Sequence, residues 1–127
     1  MIYGGEQEYQ ATFYQDPQTG RSPVLDYIEA LNDKEKAKVL KYIEFLREHK
    51  GVLDEPYSKH IQGKIRELRV DFAKHRHRIF YFTFIGKNII LLNAFLKKTS
   101  KTPIVEIKKA EHFFNTIVIN KKFYEKK

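Results

Sequence analysis

Residues 77–96, HRIFYFTFIGKNIILLNAFL, constrain the fold more than any other stretch of the chain. Two runs, 77–85 and 89–96, are rich in aromatic and β-branched residues and flank the turn Gly86-Lys87-Asn88. Such residues favour extended backbone, and the glycine-containing turn joins the runs as a hairpin. Neither run alternates cleanly with polar residues. Both are therefore expected to be central strands, covered on both faces. The rest of the chain must supply that cover.

The flanking segments supply it. Residues 8–14, EYQATFY, give a first strand, and Asp16-Pro17-Gln18-Thr19-Gly20 is turn chemistry. Ser22-Pro23 starts a helix, with serine as cap and proline at the first helical position. Its apolar side is Val24, Leu25, Ile28 and Leu31. Asn32-Asp33 caps a second helix, whose stripe is Ala37, Leu40, Ile43 and Leu46, widened by Val39, Tyr42 and Phe45. Gly51 stands where a C-terminal glycine cap belongs. Residues 52–63, broken by Pro56 and Gly63, are expected to be irregular, and residues 64–72, KIRELRVDF, to form a strand. Thr102-Pro103 begins a last helix that runs to about Phe114. Residues 115–127 form a basic tail, either an edge strand or disordered. The expected architecture is a single α+β domain over 1–127 with its core in about 8–114. It is a two-layer sandwich: a mainly antiparallel curved sheet, an N-terminal helical hairpin on one face, and a C-terminal helix.

Charge narrows the function. Residues 1–58 hold seven Lys/Arg and eleven Asp/Glu, a balance of −4. Residues 59–109 hold thirteen and three, a balance of +10, and residues 110–127 hold four and two, a balance of +2. The total is +8. A positive block of this kind attracts polyanions, of which nucleic acid is the commonest large one. No cysteine is present, which excludes disulfides and thiolate metal sites and fits a reducing cytosol. No signal-like or membrane-spanning run is seen, so a soluble, cytoplasmic protein with no membrane partner is expected.

The chain lacks HExxH, GxxxxGK[ST], GxGxxG and GxSxG motifs. The basic block holds only three acids, Glu67, Asp71 and Glu106. A two-metal nuclease needs several convergent carboxylates, so no metal and no cofactor are expected. What remains is a cationic constellation: Arg66, Arg69, His75, Arg76, His77 and Arg78 around two consecutive strands, with Lys97, Lys98 and Lys101 after the third. By strand alternation Ile65, Glu67, Arg69 and Asp71 share one face, and Arg66, Leu68 and Val70 the other. Glu67 is then placed to pair with Arg69, a structural alternative to catalysis. Arg78 aligns with Phe80, Phe82 and Phe84, at the rim end of an aromatic row. Metal-free RNA cleavage needs a base for the 2′-hydroxyl, cations on the phosphate and an acid for the leaving oxygen. Arginine suits the phosphate. Lysine in a cationic cluster, or His60, His75 or His77, suits proton transfer. Tyr81 and Phe95 are candidates for stacking on a base.

The series GKIRELRV, HRIFYFTFIGKNIILLNAFLKKTSKTP and EIKKA resembles the phage-derived, HigB-like branch of the RelE toxin superfamily over about residues 8–114. The resemblance implies a RelE-like fold and the toxin of a type II toxin–antitoxin system. It also implies metal-independent, ribosome-dependent mRNA cleavage through a 2′,3′-cyclic phosphate. The implied partners are a helix-turn-helix antitoxin, the ribosome and mRNA, with a toxin–antitoxin heterotetramer as one assembly. Arg78 falls where such toxins carry an arginine on the scissile phosphate, Lys98 where they carry the basic residue serving the leaving group, and Tyr81 at a sheet tyrosine. RelE has lysines where this chain has Ile65 and Glu67, so the base comes from elsewhere, with Lys97, His60 or His77 as candidates, or is dispensed with. For the C-terminal base-stacking tyrosine the nearest counterparts are Phe113 and Phe114. Arg69, Arg78, Lys97 and Lys98 are therefore the expected catalytic set, and His60, Arg66, His75, Arg76, His77, Tyr81, Phe95 and Lys101 the expected RNA contacts. Two rival readings are a gyrase-inhibiting ParE-like toxin and a non-enzymatic module that binds nucleic acid or antitoxin.

Overall fold

The computed structural model describes residues 8–84 and 86–122. The elements run β1 (Gln10–Phe13), α1 (Pro23–Glu29), α2 (Asp33–Glu48), β2 (Ser58–Gln62), β3 (Ile65–Phe72), β4 (His75–Phe84), β5 (Asn88–Leu96) and α3 (Ile104–Ile119). The five strands form one sheet in the order β1-β5-β4-β3-β2. β2 to β5 are antiparallel neighbours, whereas β1 lies parallel to β5. The fold is α+β with a mixed sheet and a C-terminal helix, consistent with a RelE-like fold.

The expected central hairpin is central. Ile79–Phe82 of β4 and Ile89–Leu92 of β5 are buried on both faces. On one face Leu68, Val70, Ile79, Tyr81, Ile89 and Leu91 pack against Val24 and Ile28 of α1 and Val39, Ile43 and Leu46 of α2. On the other, Ile65, Phe80, Phe82, Ile90, Leu92 and Phe95 pack against Ala110 and Ile117 of α3. Each fully buried side chain of this size contributes about 1.5–3 kcal/mol. The aromatic end of this face packs on α3, and at the other end stand Arg69 and Arg78, with Glu67 and Arg78 buried. A register shift between Phe80 and Tyr81 on the β4–β5 ladder adds curvature between these ends.

The helix starts follow the sequence chemistry. Ser22 Oγ accepts from the Leu25 N–H at 3.3 Å, with Pro23 at the first helical position. Asn32 Oδ1 accepts from the Glu35 N–H at 2.9 Å. At the end of α2 the Gly51 N–H reaches the Leu46 carbonyl (2.8 Å) and the Lys50 N–H the Arg47 carbonyl (3.1 Å). This is a Schellman closure in which Lys50 takes the left-handed position (φ 62°) and Gly51 follows it at φ 79°.

Beyond shifts of one or two residues at the ends of β1, β3 and β5, three segments differ from expectation. Residues 58–62 of the segment read as irregular form the edge strand β2. Strand β4 begins at His75 rather than residue 77, while Ile85, at the far end of that expected strand, lies outside the described residues. Residues 115–119 of the expected tail complete α3, because Ile117 is wholly buried against the sheet. Residues 123–127 lie outside the described residues.

Gly51 yields a stability test. A Cβ there would stand 2.6 Å from Thr83 Oγ1, on a backbone that L side chains rarely adopt. Gly51→Ala is expected to cost about 1–3 kcal/mol in urea unfolding. Thr83→Ala in the same chain is expected to recover part of that loss. Strict additivity of the two changes would contradict the close approach.

Candidate nucleic-acid interface

The second sheet face carries a polar end built from three cross-strand rows. Glu67 pairs in register with Phe80, and Phe80 with Asn93. Arg69 pairs with Arg78, and Arg78 with Phe95. Asp71 pairs with Arg76, whose carbonyl accepts from the Lys97 N–H at 2.8 Å. Residues in register share a face, so strand alternation alone brings Glu67, Arg69, Asp71, Arg76, Arg78 and Phe95 together.

Like charges directly opposite on a sheet repel, and Arg69 faces Arg78. Two acids offset this. Arg69 Nε donates to Glu67 Oε1 at 3.0 Å, and Arg78 Nη1 donates to Asp71 Oδ1 at 2.8 Å. Arg78 Nη1 also donates to the His77 carbonyl at 3.0 Å. The two pairs differ in environment. Glu67 is fully buried, whereas Asp71 is 63% exposed. Among the described residues, three buried polar atoms on this face have no hydrogen-bond partner: Glu67 Oε2, Arg78 Nε and Asn93 Oδ1. Leaving such atoms unpaired costs about 1–3 kcal/mol each.

Lys97 completes the group electrically. Burial pushes its ammonium below the usual lysine value, Glu67 pulls it back up, and Arg78, Arg69 and Arg76 push it further down. A lysine so placed gives up its proton more readily than one in water. Lys98 and Lys101 are exposed beyond the end of β5. Phe95 is largely buried and meets Phe80 edge-on, with ring centroids 5.2 Å apart.

The other expected contacts lie elsewhere. Arg66 registers with Tyr81 and with His60, in a row on the helical-hairpin face. Tyr81 is core, its hydroxyl 2.7 Å from Ser58 Oγ, which also accepts from Arg66 Nε at 3.2 Å. His60 is exposed on β2, its Nε2 2.8 Å from the Gly63 carbonyl. His75 and His77 point to the hairpin face and meet Glu35. His77 also meets the Tyr27 hydroxyl at 2.7 Å. Burial, then the Glu35 charge, pushes that hydroxyl up to about 12, so it stays protonated. Phe113 stacks on Tyr14 and Phe114 meets Phe82 edge-on, which places both between α3 and the sheet.

Sequence reasoning anticipated Glu67 beside Arg69 but missed the hold of Asp71 on Arg78 and the amide of Asn93. Asn93 donates to the Glu106 carbonyl (3.2 Å) and to Glu106 Oε1 (3.1 Å), tying β5 to the start of α3. Its signal was an amide inside an otherwise apolar strand. Asp71 was visible only as a neighbour, because its hold on Arg78 crosses the β3–β4 hairpin.

A family model described as Phage derived protein Gp49-like (DUF891) matches residues 26–115. That span holds α2, α3 up to residue 115, and every row described above. A search of curated proteins returned no match. Among the described residues, no helix is long and apolar enough to cross a membrane.

Asp71 offers a direct test of the electrostatics. Asp71→Asn removes the charge that holds Arg78 while leaving an exposed amide. Stability is expected to fall by about 1–3 kcal/mol at most, since buried Arg78 loses a charged partner but keeps the amide oxygen and the His77 carbonyl as acceptors. Affinity for single-stranded RNA is expected to rise, with a steeper salt dependence, in fluorescence-anisotropy titrations. Unchanged affinity at low salt would separate Arg78 from any anion site.

Proposed function

The chain belongs to the phage-derived Gp49-like family, a toxin–antitoxin-associated, RelE-like group. On that premise we propose that it is the toxin of a type II toxin–antitoxin system, acting as a metal-independent, ribosome-dependent mRNA endonuclease that arrests translation. The observation that carries this reading is the registered pair Arg69–Arg78 with Lys97 beside it. The scissile phosphate sits across the two guanidiniums, whose planar forks bind two oxygens at once. It displaces Asp71 from Arg78 Nη1. Neutral Lys97 accepts the 2′-hydroxyl proton, and the 2′-oxygen attacks phosphorus. The P–O5′ bond breaks, leaving a 2′,3′-cyclic phosphate and a 5′-hydroxyl. Lys98, exposed next along the chain, donates the proton to the leaving oxygen, and Arg76 and Lys101 hold flanking phosphates. No metal has a step here. The acids of this face are engaged by Arg69, Arg78 and Asn93. A small helix-turn-helix antitoxin and the ribosome are the proposed partners, with a toxin–antitoxin heterotetramer as the resting assembly.

Brief induction in cells followed by mapping of RNA ends tests the proposal. Cuts within codons of translated messages are expected, with cyclic phosphate at the upstream end. Arg78→Ala is expected to lower cleavage about 10²–10³-fold, as for loss of one preorganised transition-state donor. Lys98→Ala is expected to relieve growth arrest with the fold retained. Intact messages accompanied by DNA damage would overturn the reading in favour of gyrase inhibition.

The base carries its own pH signature. With a lysine held below its usual value of 10.5, the reactive neutral form accumulates as pH rises. Single-turnover cleavage is therefore expected to climb with pH and level off below that value. Lys97→Met is expected to lose the ascending limb, and a rising limb kept in that variant would exclude Lys97 as base.

A further inference from the structure

The polar cluster on the opposite face takes no part in the proposed cleavage. Strand β4 presents His75 and His77, two residues apart, on the side facing the helical hairpin. Glu35, in the first turn of α2, meets both. Its Oε1 lies 3.0 Å from His75 Nδ1 and 2.6 Å from His77 Nε2. Its Oε2 accepts from Asn32 Nδ2 at 2.9 Å, and Asn32 also caps the helix, so the carboxylate is held from behind. Glu35 and His77 are buried, while the His75 side chain is 54% exposed. The three ligand atoms all lie within 4.8 Å of one another.

The proton count at this cluster is informative. A neutral imidazole carries one N–H. With the Tyr27 hydroxyl donating to Nδ1, the Nε2–H donates to Glu35 and the contacts close without an ion. With Nδ1–H donating to the Tyr27 oxygen, Nε2 turns a lone pair toward Glu35 and the two hold a cation between them. The second is the arrangement of a metal-ligating histidine, whose other ring nitrogen donates to an outer partner that fixes the tautomer. Tyr27, still protonated, is such a partner, 2.7 Å from Nδ1.

We propose that Glu35, His75 and His77 form a binding site for a single divalent zinc-class ion, which fastens the first turn of α2 to strand β4. Zinc takes imidazole nitrogen and carboxylate oxygen at about 2.0–2.2 Å in tetrahedral sites, which sets ligand atoms about 3.3 Å apart. The Glu35 separations of 2.6 and 3.0 Å open toward that value when an ion enters, and all three ligand atoms already lie within 4.8 Å of one another. Two imidazoles and one carboxylate suit zinc, cobalt or nickel better than magnesium or calcium, which prefer oxygen. The exposed side at His75 leaves the fourth position to water. The sequence expectation of no metal rested on missing carboxylate clusters and cysteines. It did not weigh a His-x-His pair on a strand meeting one glutamate from a helix. The site is independent of the proposed nuclease reaction.

The full chain, stripped with chelator, is titrated with zinc chloride in isothermal calorimetry. The ring nitrogens of its five histidines are followed by NMR in the same titration. One equivalent is expected to bind, with the His75 and His77 rings shifting at saturation while His49, His60 and His112 stay in place. Cobalt chloride is expected to give the visible absorption of a four-coordinate site. His75→Ala and Glu35→Gln are each expected to weaken zinc at least about 10-fold, and Tyr27→Phe about 10–100-fold as an outer partner. His60→Ala is expected to change nothing. No saturable binding, unmoved His75 and His77 rings in the wild-type chain, or full binding by His75→Ala would each overturn the proposal. The wild-type ring shifts decide the matter even if a variant fails to fold.

Discussion

Strand β4 is buried on both of its faces, and that constraint organises the molecule. From Ile79 to Phe82 every side chain is in one core or the other. Alternation sends Ile79 and Tyr81 to the helical hairpin and Phe80 and Phe82 to α3. The strand enters these cores through His77 and Arg78, which are buried as well. A buried polar group must be paired, so each recruits its own partner. His77 finds Glu35 and Tyr27 on one side, and Arg78 finds Asp71 and a backbone carbonyl on the other. Two adjacent residues thus found two different polar clusters on opposite faces of one sheet.

On the Arg78 side the neighbours Arg69 and Asp71 reach solvent, at 21% and 63% exposure, while Arg78 itself is buried. Helix α3 is tied down at Asn93 through Glu106. The guanidiniums of Arg69 and Arg78 are held beside each other by two acids of different character. Buried Glu67 is a fixed part of the frame. Exposed Asp71 is a weak, replaceable counter-charge, and a phosphate is a better match for the same fork. On the proposed reading the pair is thus preorganised for an anion without being left as bare like charge, and the positive block of residues 59–109 supplies the longer-range attraction.

Much of this was legible in the sequence, for identifiable reasons. Aromatic and β-branched runs marked β3, β4 and β5, and Ser22-Pro23 and Asn32-Asp33 marked the helix starts. Alternation placed Arg69 with Asp71 and Arg78 with Phe80, and it anticipated the Glu67–Arg69 pair. Strand β2 was missed because SKHIQ is short and polar, as an edge strand can be. The end of α3 was missed because NTIVI has strand-like propensity, which burial of Ile117 overrides. Tyr81 and His77 were expected at the RNA surface, but their partners, Ser58 and Glu35, lie 23 and 42 residues away in sequence. No local pattern carries such a contact. The parallel pairing of β1 with β5 was invisible for the same reason.

The central claim is that guanidiniums of neighbouring strands receive one phosphate at the polar end of the face that packs on α3. The most direct measurement follows the arginine Nε–H resonances by NMR while a short 2′-deoxy oligonucleotide, which cannot be cleaved, is titrated in. Saturating shifts of Arg69 and Arg78 at a common midpoint, with the Arg66 signal unmoved on the opposite face, are the predicted result. Shifts centred on Arg66, with Arg69 and Arg78 unchanged, would contradict the account.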